Sequence, residues 1–333
     1  MITSSQKYLI IKGFAGLGNR ILALLTGILY AELTNRKIVV DWRDKSYSDS
    51  NENSFYKFFD SEFSPPIEDI DDSDSIYPER WKNNLECNLS EFATKTNLKQ
   101  YMLPKNWSKS TIDPAKIIYA ENVIVFWAFT QLVFKFRRYF KSFKMEYYNR
   151  STKSILSEVY KKHLPLVDDL RLIVEEFCHQ TLMENNIGIH IRYTDKKSNL
   201  KPMLKKLEHV VKENPSSKIF LATDNPKIIE MLNEKYSNII TFPKWFPKEN
   251  VPLHGLRNNS PGRIQHGYET IIEIYALAKC KVLILDTDSS FDYIVGLLTN
   301  HNTIIHDFRK LKWMPEYAHH ILWKIYYSTK YRA

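Results

Sequence analysis

The chain has 333 residues, 44% hydrophobic and 26% charged, with a formal net charge of +9. That length admits two ordinary domains, and that balance excludes an intrinsically disordered chain. The positive excess suits an anionic partner such as a nucleotide. Three scattered cysteines, Cys87, Cys178 and Cys280, lack metal-ligand spacing and point to reduced thiols in a cytosolic setting.

No basic stretch followed by a short apolar core opens the sequence, and no apolar run reaches the roughly 18 residues that a membrane span needs. The expectation is a soluble cytoplasmic protein, at most peripheral at the inner face of a membrane.

In chain order, KYLIIKG (7–13) reads as a buried strand, and GFAGLGNR (13–20) as a glycine turn. Apolar residues then recur at helical spacing through Ile21, Leu24, Leu25, Ile28, Leu29 and Leu33, before the β-rich run KIVVDW (37–42). Strand, turn, helix and strand make a βαβ unit, which implies a parallel sheet. Residues 44–110 mix acidic and turn-rich text with aromatics and read as long loops and short helices. NVIVFW (122–127) is a strand, followed by the basic aromatic stretch FKFRRYFKSFK (134–144) and helices to about residue 184.

From residue 187 strands and helices alternate: IGIHIRY, PMLKKLEHVVKE, KIFLATDN, PKIIEMLNEKY, NIITFP, a loop over 243–262, RIQHGYETIIEIYALAKC, KVLILDTDSS, SFDYIVGLL and NTIIHD. The fold class is therefore α/β, with two doubly wound, Rossmann-like halves facing a cleft. The expected division is 1–180, 181–308, and a C-terminal helix over 309–333 crossing back onto the first half.

Candidate site residues gather at strand ends. Gly13, Gly16 and Gly18 let backbone approach a phosphate at a helix N-terminus, or serve only tight strand-to-helix packing. Their G-x-x-G-x-G spacing is neither the Walker pattern nor the dinucleotide G-x-G-x-x-G. His190 and Arg192 share one face of their strand, with Asp195 and Lys196 just beyond. An arginine fork there holds a diphosphate at two points, unless the cluster is an internal ion-pair network. Asp224 either caps the next helix or accepts from a base or ribose hydroxyl. Ser289 and Ser290 either cap their helix or bind an anion, and the two roles can coexist. Asp286 and Asp288 form a D-x-D, a three-residue match that carries little weight for a metal. Together these groups suit ribose, base and diphosphate: a nucleotide in the cleft.

HIRYTDK (190–196) closely resembles the H-x-R-x-T-D-K motif of the α1,6-fucosyltransferases, and FLATDN resembles their F-L-A-T-D-D. YETIIEIYALAKCKVLILDTDSS is similar to their helix and strand ending in a serine pair, and GLGNR with VDWRDKSY is similar to the rhizobial nodulation fucosyltransferase. The resemblance covers about 185–300 well and 8–60 moderately, leaving 60–180 uncovered. It implies a GT-B fold, inverting chemistry, GDP-fucose as donor, a glycan or lipid-linked glycan as acceptor, and no metal or other cofactor.

By position it implies that Arg192 holds the β-phosphate with Lys196 nearby, and that His190 and Asp224 lie near ribose and guanine. Glu273 falls at the base, Ser289 and Ser290 at the phosphates, and Gly16, Leu17, Gly18 and Asn19 approach from the other half. The sequence departs from the mammalian-type pattern in having no glutamate shortly after T-D-K, where the acceptor-activating base is placed. Asp195, Asp44 and Glu269 are alternative bases. Without that acid, a degenerate protein that binds nucleotide or glycan without turnover is the second reading. The basic aromatic stretch and the C-terminus offer a peripheral membrane contact. No RNA-binding or helix-turn-helix signature supports nucleic acid as a partner.

Overall fold

The computed structural model describes residues 6–50, 52–63, 66–71, 75–98, 100–182, 185–194, 198–246 and 262–309, with 318, 321, 322 and 325 beyond them. β1 (Tyr8–Lys12), α1 (Leu17–Thr34) and β2 (Lys37–Asp41) form the expected βαβ unit. Short helices α2 (Phe55–Phe58) and α3 (Leu89–Lys95) flank a two-residue strand, β3 (Ile76–Tyr77), before β4 (Val123–Phe126). Single-turn helices α4 (Phe140–Phe143) and α5 (Met145–Tyr148) lead into α6 (Thr152–His163) and α7 (Asp168–Thr181).

The second half alternates regularly through β5 (Ile187–Ile191), α8 (Leu200–Glu213), β6 (Ile219–Thr223), α9 (Pro226–Asn233) and β7 (Ile239–Ile240). It continues with α10 (Arg263–Lys279), β8 (Val282–Leu285), α11 (Ser290–Leu298) and β9 (Ile304–Asp307). The segment 309–333 lies almost wholly outside the described residues.

Both sheets are entirely parallel, ordered β2-β1-β4-β3 and β7-β6-β5-β8-β9. Tyr8 pairs with Lys37 on one side and Val123 on the other, and Ile187 pairs with Ile219 and Val282. Parallel strands covered on both faces must be apolar throughout, which is why YLIIK, VIVF, IGIHI and VLIL are near-continuous hydrophobic runs. β4, β5, β6 and β8 are buried along their whole lengths.

Strand order reverses between β1 and β4 in one sheet, and between β5 and β8 in the other. Open α/β sheets leave a crevice for ligands at such points, outside the carboxyl ends of the strands.

α1 joins the two halves. It is buried almost all round from Leu17 to Ala31, as a helix enclosed on several sides must be. One side packs on β1 and β2, the other on α6 and α11. A second seam sets α10 against α7 and α2, where the ring of Phe58 lies edge-on to Tyr268 at 5.8 Å.

The basic aromatic stretch turns mostly inward. Phe136 and Phe140 are fully buried, and Arg137 and Arg138 donate to backbone carbonyls of Arg150 and Ala115, so Phe143 is its one exposed phenylalanine. Among the described residues no helix is long and apolar enough to cross a membrane.

Candidate active site

His190 is the penultimate residue of β5, with its ring buried. Its Nδ1 lies 2.7 Å from Oδ1 of Asp292, and Oδ2 of that carboxylate accepts the Asp286 N–H at 2.8 Å. An ionised carboxylate only accepts, so Nδ1 carries a proton and Nε2 faces away from Asp292. Phe291 covers the ring, with centroids 4.2 Å apart. Asp292 therefore ties the end of β5 to the turn after β8.

Arg192 follows on a half-buried loop that is closed on itself. Its N–H donates to the Ser198 hydroxyl at 3.1 Å, and its carbonyl accepts the Ser198 N–H at 2.8 Å. The Asp224 carboxylate accepts the N–H groups of Tyr193 at 2.6 Å and Thr194 at 3.3 Å. Asp224 thus clamps the loop that presents Arg192. The helix cap expected of it belongs to Asn225, whose side chain accepts the Lys227 N–H at 3.0 Å. Asp195 and Lys196 lie outside the described residues.

Across the cleft, the Tyr47 hydroxyl accepts the Leu17 N–H at 2.8 Å, taking one of the open donors at the α1 N-terminus. Burial pushes the Tyr47 phenol up, while the charges of Arg20 and Arg192 and the Leu17 hydrogen bond pull it back. Arg20 is buried under the turn, paired with Asp44, donating to the Ala15 carbonyl and lying near the Trp42 and Tyr47 rings.

Packing accounts for two of the three turn glycines. A Cβ on Gly13 would meet the Arg20 guanidinium and sit 2.8 Å from the Trp42 ring. A Cβ on Gly18 would lie 2.8 Å from the Ser290 carbonyl carbon. Gly16 is the N-cap of α1. Asn19 spans the seam: its amide donates to the Phe129 carbonyl, and its Oδ1 accepts the Ser290 hydroxyl at 3.1 Å.

Neither serine caps α11 with its side chain. Ser289 occupies the N-cap position, yet its hydroxyl is buried with no hydrogen-bond partner among the described residues. A buried hydroxyl left unpaired costs about 1–3 kcal/mol, so a fold retains one at a helix N-terminus only for a reason. Asp286 is also buried, and its carboxylate accepts the Asp288 N–H at 3.2 Å.

Glu273 is buried on α10 and paired at 2.6 Å with Lys244, itself almost fully covered. Burial pushes the Glu273 carboxyl above its usual range, and Lys244 works against that rise. One to two turns earlier on the same face, Glu269 accepts from buried His266 at 3.2 Å, and the Trp245 ring lies beside that histidine. Among the described residues, no group of three or more His, Cys, Asp or Glu side chains is placed to hold a metal ion.

A family model for xyloglucan fucosyltransferase matches residues 1–55. Nodulation protein Z of Bradyrhizobium diazoefficiens is 22% identical over 309 residues, covering 85% of this chain and 76% of that protein. The crystal structure of NodZ alpha-1,6-fucosyltransferase soaked with GDP-fucose superposes with a TM-score of 0.57 at 18% identity, over 88% of this chain and 93% of its own. A variant of Arabidopsis thaliana FUT1 in complex with GDP gives 0.53 at 16% identity, over 91% and 70%. The chain is similar to these fucosyltransferases and has their GT-B fold.

In this GT-B chain, His190, Arg192, Asp224, Ser289 and Ser290 converge at the carboxyl ends of β5, β6 and β8, with Leu17 to Asn19 facing them. Glu273 stands behind, engaged by Lys244. Sequence reasoning missed Lys244, Tyr47 and Asp292. Lys244 carried a signal, a lysine set between Phe242 and Trp245 in a short extended run. Asp292 read as an ordinary acid in a helix's first turn.

Proposed function

We propose that the chain is an inverting glycosyltransferase that moves fucose from GDP-fucose to a glycan or lipid-linked glycan hydroxyl without a metal ion. The carrying observation is the buried Ser289 hydroxyl at the N-terminus of α11, without a hydrogen-bond partner among the described residues, at a strand end next to the one that Arg192 follows. A helix N-terminus with an unused hydroxyl and a nearby guanidinium is a receptor for a diphosphate.

In the reaction, the acceptor oxygen bonds to the anomeric carbon as the bond from that carbon to the β-phosphate oxygen breaks. The bonding pair departs with GDP, and the acceptor proton passes to a base. Charge grows on the leaving diphosphate, and Arg192 with the α11 N-terminus stabilises it from fixed positions. His190, oriented by Asp292, presents its Nε2 for a hydrogen bond to the ribose or base. Asp44 is committed to Arg20, and Glu269 is paired with His266 in a buried position, so neither is offered as the base. The metal-free reading is supported by the inward turn of Asp286, whose carboxylate serves its own loop.

Calorimetric titration with GDP, UDP, CDP and ADP, with and without EDTA, tests the donor, followed by turnover of GDP-fucose by wild type and R192A. Selective GDP binding that survives EDTA, with transfer lost in R192A, is expected. Preference for another nucleotide would overturn the donor, and GDP binding without turnover would mark a nucleotide-binding protein of the same fold.

A further inference from the structure

The strand-order reversal in the first sheet carries a second site. Beside the end of β4 lies a cavity of about 200 Å³, walled by Trp107, Ser108, Asp113, Trp127, Phe129 and Lys135 among others. Ligand pockets sized for whole drug-like molecules run to about 300–1,000 Å³, so this one has room for a single ring. We infer that it is the subsite for one neutral pyranose ring of the acceptor, an assignment that rests on the transferase reading above.

The walls suit a sugar. The Trp107 indole N–H donates to the Met102 carbonyl at 2.9 Å, and that of Trp127 donates to the Ser110 carbonyl at 3.1 Å. Both rings are thereby held in place by the backbone. Phe129 packs between them and Phe14, with centroids 6.4, 5.6 and 5.0 Å away respectively. Aromatic faces carry negative charge density and attract the weakly positive C–H face of a pyranose. The Lys135 ammonium and Asp113 carboxylate, paired at 2.7 Å, put donors and an acceptor on the same wall for ring hydroxyls. A few polar groups set among aromatic faces is the composition of a small-ligand site.

Position assigns the ring to the acceptor. Phe129 lines the cavity, and its carbonyl is held by Asn19, whose other amide atom accepts the Ser290 hydroxyl. One asparagine side chain therefore separates the cavity wall from the serine pair where the diphosphate is proposed to sit. Phe14, on the turn that opens α1, belongs to the same aromatic cluster. A ring held here lies beside the carboxyl end of β4, next to the N-terminus of α1 that Asn19 links to Ser290.

Saturation-transfer NMR of the whole chain with cellobiose, lactose and N-acetyllactosamine tests the inference, with GDP affinity measured on the same samples by calorimetry. At least one disaccharide is expected to receive saturation on its ring C–H protons. In S108W, where an indole fills the cavity from an exposed position, that signal should fall at least fivefold while GDP affinity stays within twofold. T130W fills the cavity from a second lining position and serves if S108W does not fold. No saturation of any of the three sugars by wild type, or equal saturation in both plugged variants, would overturn the subsite. Sugar binding that the plugs abolish, in a protein that ignores GDP, would sink the donor reading and leave the cavity standing.

Discussion

His190 and Asp292 are 102 positions apart in the chain and 2.7 Å apart in space. The same carboxylate holds the Asp286 N–H, so one side chain fixes both the imidazole tautomer and the turn leading to Ser289 and Ser290. D292N keeps the volume and loses the ionised acceptor on one side. Leaving one buried polar group unpaired costs about 1–3 kcal/mol, so calorimetry should show GDP binding weakened by about tenfold. An unchanged affinity would mean that His190 orientation plays no part in holding the nucleotide.

The Lys244–Glu273 pair yields a prediction with a sign in pH. K244M leaves a carboxylate buried without its counter-ion, and breaking a buried pair in this way costs about 3–5 kcal/mol. Burial already holds the Glu273 carboxyl above its usual range, and removing Lys244 raises it further. A carboxyl whose pKa is higher in the folded state binds more protons there, so stability rises as pH falls through that window. Thermal melts should therefore show a smaller deficit for K244M at pH 5 than at pH 8. A deficit independent of pH would place its cause in lost packing.

Two glycines separate close approach from open space. In G18A the new methyl would sit 2.8 Å from the Ser290 carbonyl carbon, and backbone on both sides has to give. Overpacking of this kind costs about 1–3 kcal/mol, and here it also parts α1 from α11 at the proposed diphosphate site. In G296A the nearest atoms, 3.5 Å away, are at the flexible end of Lys153. A helical alanine there should add about 0.5–1 kcal/mol. Urea melts that move the two variants in the same direction would contradict this contrast.

The second half was legible because buried parallel strands and the helices between them leave apolar runs of distinct period. β3 was not, since two residues cannot declare a period within acidic, turn-rich text. The inward set of Phe136 and Phe140 was equally hidden, because a basic aromatic stretch has the same composition whether its rings face a membrane or a core. Within the site, strand-end position drew attention to His190, Arg192 and Asp224, but Asp224 holds the loop bearing Arg192 through backbone contacts that span 30 or more positions. Tyr47, Lys244 and Asp292 acquire their roles through contacts between separate elements, and of the three only Lys244, set between Phe242 and Trp245, carries a local signal.

The Ser289 hydroxyl links stability to binding in opposite directions. It is buried and unpaired among the described residues, so S289A removes a cost of about 1–3 kcal/mol from the free protein and should raise its melting temperature. The same change deletes a donor at the proposed diphosphate site, where a hydrogen bond to a charged group contributes about 1.5–3 kcal/mol. GDP affinity is therefore expected to fall about 10- to 100-fold in a protein that has become harder to unfold. Differential scanning calorimetry with and without GDP reads both quantities on one sample. A variant that loses stability in the free state would show that Ser289 already has a partner, and the diphosphate would then have to be placed on Arg192 and the backbone alone.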